Sequence, residues 1–154
     1  MDVKQIQVTI AGRLPRDFAL SRRAYAAAAR FFARRSAARV GAVWHEVTVH
    51  LIDDAASDAC HRAIMGIAGA TDVITQAYDA IPPELPGLYG ELFVNADQAR
   101  RAAPNRRGWT KEKELLLYLA HGMDHLSGAE DLTPTDYARM RRRELGWIRA
   151  LPPM

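Results

Sequence analysis

The chain has 154 residues, 49% of them apolar, which suits a single globular domain over residues 1–154 with a sizeable core. It has no apolar run of about eighteen residues, no signal-peptide pattern in its opening MDVKQIQVTI and a single cysteine, Cys60, so the expectation is a cytoplasmic protein with no membrane span and no disulfide framework. The net charge of +3 is segregated: eight arginines stand against Asp17 alone between Arg13 and Arg39, whereas seven acids stand against Arg62 alone between Glu46 and Glu84.

In chain order, Val3 to Ile10 alternates apolar with polar residues, the period of a half-buried strand. Gly12 and Pro15 break it, and Phe18, Tyr25, Ala28, Ala29 and Phe32 then recur at helical spacing, with arginines elsewhere on the wheel. Val43 to Ile52, rich in β-branched residues, predicts a second strand, and Asp53 or Asp54 can cap a helix from about Ala55 to Met65. Thr71 to Thr75 predicts a short strand, and DAIPPELPG, with three prolines, a loop. Leu88 to Val94 predicts a further strand, with a short helix from Asn95 through Arg101. A loop with Pro104 and Gly108 leads to Thr110, which can cap a helix carrying Leu115, Leu116, Leu119, Met123 and Leu126 as far as Gly128. Thr133 and Pro134 open a last helix to about Arg149. About four strands interspersed with about five helices predict an α+β (mixed α/β) fold, one mixed sheet with flanking helices.

The chemistry concentrates in HGMDHLSGAED. His121 and His125 lie four apart on the predicted helix, so both rings project from one face, one turn apart, and can share a metal ion. Gly128 can adopt the left-handed conformation that ends the helix and returns the chain, bringing Asp131 back as a third ligand; Glu130 is the alternative. Two imidazoles and a carboxylate are a donor set for one Zn2+ per chain with a position left open for water. Asp124, three residues after His121, is a candidate base or partner to a ligand histidine. His45 and His50, on a predicted strand, have no partner at ligand spacing and are expected to be structural. Arg100, Arg101, Arg106 and Arg107 form a second basic stretch suited to RNA phosphates.

This segment resembles the YbeY family, whose signature is H-G-x-x-H-L-x-G-x-D-H, with Asp131 where the family has its third histidine. ATDVIT at Ala70–Thr75 is similar to the family's P-T-D-V-L-S, YGELFV at Tyr89–Val94 to its G-D-I strand, and Met140 and Glu144 to its M-x-x-x-E spacing. The resemblance implies a mixed sheet with a zincin-like metal helix. It also implies a zinc-dependent endoribonuclease of 16S rRNA 3′-end maturation and ribosome biogenesis, with rRNA and the small ribosomal subunit as partners and no small-molecule cofactor. Three positions depart from the pattern: Met65 replaces an arginine expected to serve the scissile phosphate, His61 an asparagine and Gln76 a phenylalanine. Arg62, one turn before Met65 on the predicted helix, is the candidate substitute. Two further readings follow: a non-catalytic, metal-containing rRNA-binding assembly factor, and a metallopeptidase, which has Gly122 where its general-base glutamate belongs.

Overall fold

A computed structural model describes residues 6–78 and 87–153. Its four strands are β1 (Gln7–Ala11), β2 (Trp44–Ile52), β3 (Val73–Tyr78) and β4 (Leu88–Asn95), in the order β1-β2-β4-β3. β1, β2 and β4 run parallel and β3 pairs antiparallel with β4, so the sheet is mixed and the fold α+β. The register stacks apolar residues across the parallel strands: Val8 beside Val47, Ile10 beside Val49, and Val49 beside Leu92. The expected first strand begins later, at Gln7, and its residues 3–5 fall outside the described residues, as does the expected proline-rich loop apart from Gly87.

One face of the sheet is covered by α1 (Arg22–Val40) and α4 (Lys111–Leu126), which contact each other and share one core with β2 and β4. The buried stripe of α1, Tyr25, Ala28, Ala29, Phe32, Ala33, Ser36 and Ala37, has the spacing of a single helix face, and its alanines let the helix pack closely. Ser36, buried in that stripe, accepts a hydrogen bond from the Trp44 indole. α2 (Asp54–Cys60) and α3 (Ala96–Ala102) follow β2 and β4, each capped by the last polar side chain before it, Asp53 and Asn95. α5 (Pro134–Arg149) packs on α4 through Met140, Glu144 and Trp147.

The expected helix from Ala55 to Met65 is split: α2 ends at Cys60 and residues His61–Met65 form one turn of π-helix, closed by Gly66 at φ 69°. Three hydrogen bonds fold the return loop onto this turn: Gly69 N–H to Asp58, His61 Nδ1–H to the Gly69 carbonyl and Ile67 N–H to the His61 carbonyl. The short strand expected at Thr71–Thr75 instead begins at Val73, because Asp72 turns its carboxylate back to accept the Val73 N–H. Among the described residues no helix is long and apolar enough to cross a membrane.

Candidate metal centre

Thr110 caps α4 by accepting the Lys113 N–H, and the helix then runs almost wholly buried to Leu126. It lies so close to the sheet that a Cβ on Gly122 would stand 2.5 Å from Leu92 Cδ2 and 3.2 Å from Val73 Cγ2. A metallopeptidase would need its glutamate at this position, where the sheet leaves no room for a side chain. His121 and His125 therefore occupy the adjacent face, with ring centroids 4.4 Å apart and planes at 81°. After the helix Gly128 takes φ 101°, which returns the chain so that Asp131 faces both rings.

The hydrogen bonds of the two rings fix which nitrogen is free. His121 Nδ1 lies 2.9 and 3.1 Å from the Glu144 carboxylate oxygens, and His125 Nδ1 lies 3.0 Å from the Ala129 carbonyl. Both partners are acceptors, so each Nδ1 carries its proton and each neutral Nε2 presents a lone pair. Those two Nε2 atoms face each other at 3.0 Å, and Asp131 Oδ2 stands 3.4 Å from His125 Nε2 and 3.8 Å from His121 Nε2. Three electron-rich atoms within 4.8 Å of one another repel unless a positive charge lies between them. A proton could join the two rings only by charging an imidazole in a largely buried site, whereas a divalent cation satisfies all three donors. The donor set thus fits a zinc-type ion, and the charge of Glu144 makes His121 a stronger ligand. Burial works against a charge on His121, but the hydrogen bond and charge of Glu144 outweigh it and raise the pKa. Burial raises that of Glu144, because there it disfavours the negative charge.

The three donors lie at the end of a cleft of about 400 Å³ whose walls include His61, Met65, Asp72, Val73 and Thr75. The π-helical turn supplies His61 and Met65, and Asp72 with the first residues of β3 supplies the rest. Neither lysine nor arginine lines the cleft among the described residues.

The remaining sequence-derived candidates lie elsewhere. Arg62 is exposed and held by Asp58 at 3.1 Å, outside the cleft wall. Asp124 is fully buried beside Glu144, where Arg143 binds it through both Nε and Nη2 and Arg39 approaches to 3.6 Å. The carboxylate that hydrogen-bonds the His121 ring is Glu144. Glu130 is exposed and lines a separate hollow with Arg39 and Arg143. Arg100 is tied to Asp17 and Asp97, and Arg101 to Asp54, which leaves Arg106 and Arg107 as the members of that basic stretch outside any salt bridge among the described residues. His50 pairs with Glu91 at 2.5 Å and stacks on Phe93, and His45 stacks on Tyr89.

The profile of the family described as Endoribonuclease YbeY matches residues 17–151. The chain is 36% identical over 127 residues to the Endoribonuclease YbeY of Anaeromyxobacter sp. (strain Fw109-5), covering 80% of this chain and 65% of that protein. It is 33% identical over 113 residues to the protein of the same name from Roseiflexus sp. (strain RS-1), covering 69% of this chain and 70% of that one. The alignments thus span about two thirds of these relatives' own lengths. The solution structure of TM1509 from Thermotoga maritima superposes over 93% of this chain and 87% of its own with a TM-score of 0.59 at 20% identity, a likeness of fold. The match over most of the chain and the inward-facing His121, His125 and Asp131 lead to one conclusion: this chain belongs to the YbeY endoribonuclease family.

Proposed function

We propose that this chain is a zinc-dependent endoribonuclease that cleaves single-stranded RNA, acting in the cytoplasm on the 3′ end of 16S rRNA in association with the small ribosomal subunit. The observation that carries the reading is the pair of imidazoles whose Nε2 atoms face each other at 3.0 Å beside Asp131, at the end of an open cleft. The names of the relatives support the reaction class. Zinc held by these three donors would polarise a phosphodiester and make a water or hydroxyl more acidic.

The chain's own residues do the positioning. Glu144 fixes the tautomer of His121 and the Ala129 carbonyl that of His125, so both ligands are preorganised. The cleft runs past His61 and Asp72 to the three donors, and Gly122 packs closely on Leu92 at its base. One observation favours the alternative of a non-catalytic assembly factor that keeps the metal for structure: Met65 lines the cleft and Arg62 is held outside it.

Incubation with a single-stranded RNA spanning the 16S 3′ end separates the two. The nuclease reading expects cleavage that a chelator stops, zinc restores and Asp131→Ala abolishes. RNA bound but left intact by the zinc-loaded protein would establish the assembly-factor reading instead.

A further inference from the structure

We propose that Trp109, flanked by Arg106 and Lys113, forms a subsite that stacks an unpaired base of single-stranded RNA and holds its neighbouring phosphates. The proposal rests on the reading of the chain as an RNA-cleaving enzyme and identifies where the strand is gripped outside the metal centre.

The observations begin with the indole itself. Trp109 is half-buried in the loop before α4, while Trp44 and Trp147 are enclosed in the core at 1% and 8% exposure. Its Nε1 is buried without a hydrogen-bond partner among the described residues, and so is Oε2 of the neighbouring Glu114, which is itself 2% exposed. The polar edge of the ring is thus turned into the fold. Two cations lie against it, the Arg106 guanidinium at 5.8 Å and the Lys113 ammonium at 5.6 Å from the centroid. Neither makes a salt bridge among the described residues, nor does the adjacent Arg107, in contrast to Arg100 and Arg101. An aromatic ring set among cations that make no salt bridge is a surface that single-stranded nucleic acid uses, because every base has a π-face and every nucleotide a phosphate.

Trp109 stands just before the first turn of the helix that carries the two histidines. Glu114, Tyr118, His121 and His125 follow at intervals of four, three and four, and so share one face of α4. At 1.5 Å per residue, Glu114 and His121 are about 10 Å apart along that face. That face is buried from Glu114 to His121, and Trp109 lies at the opposite end of α4 from His125.

The test is fluorescence anisotropy of a dye-labelled uridine 12-mer titrated with the full chain in chelator, so that nothing is cleaved. Trp109→Ala is expected to weaken binding about tenfold and Trp109→Phe to retain most of it, since phenylalanine also stacks. Arg106→Ala with Lys113→Ala, both surface changes, is expected to weaken binding and to reduce the salt slope by about 1.4. Arg100→Ala serves as the control and should bind like the parent. Duplex RNA of the same length should bind more weakly than the single strand. Parent-like affinity and salt slope in the double arginine–lysine variant, or in folded Trp109→Ala, would overturn the subsite while leaving the nuclease reading intact. No binding of RNA by the parent chain would overturn both.

Discussion

At the scale of the residue, the centre is organised by which nitrogen each histidine has left over. The spacing of His121, His125 and Asp131 could be read from the sequence because four residues make one helical turn and Gly128 supplies the return. The tautomers could not, because they depend on Glu144, 23 positions from His121, and on the Ala129 carbonyl. For the same reason the partners of Asp124 were not legible: Arg39 and Arg143 lie far along the chain, and the pattern of α4 does not reveal them. The orienting role of Glu144 predicts that Glu144→Gln, which can still accept the Nδ1 proton but carries no charge, lowers zinc affinity about 10-fold, and Glu144→Ala towards 100-fold. Competition with a chromophoric chelator measures both. Parent-like affinity in both variants would mean that Glu144 merely fills space.

At the scale of the element, the regular segments were legible and their irregular ends were not. Strong periodicity placed β2, β4, α1, α4 and α5, all of which contribute to the same core. The π-helical turn at His61–Met65 has the apolar and polar composition of an ordinary helix end, and only the bonds from Asp58 and His61 to the return loop distinguish it. That turn decides the cleft wall, since it presents Met65 and His61 while Arg62 stays with Asp58. Trp109 was not singled out in the sequence, although its setting, RRGWTKEK, puts an aromatic residue among cations; its half-burial needed the fold. The close approach of α4 to β4 carries its own prediction. Gly122→Ala forces a Cβ to within 2.5 Å of the fully buried Leu92 and is expected to destabilise the chain by about 1–3 kcal/mol in urea unfolding. Unchanged stability would mean that the helix can back away from the sheet at little cost.

At the scale of the whole molecule, the segregation of charge seen in the sequence resolves into two uses. Some arginines hold elements together: Arg39 and Arg143 around buried Asp124, Arg100 on Asp17, and Arg101 on Asp54. Others, among them Arg106, carry no salt bridge among the described residues and are available to a polyanion. Composition alone could not separate the two groups, because pairing is a property of the folded chain. The sheet, α4 and α5 meet at the metal centre. β4 sets the depth of the helix, the helix presents the histidines, and α5 supplies the carboxylate that orients one of them. All of this converges on one claim, that His121, His125 and Asp131 together hold a single metal ion. Its most direct test is zinc titration calorimetry of the metal-stripped chain beside Asp131→Ala. The expected result is one zinc per parent chain, with binding greatly weakened in the variant while its circular dichroism stays native. Absence of stoichiometric binding by the folded parent, or equal affinity in the two proteins, would contradict the claim.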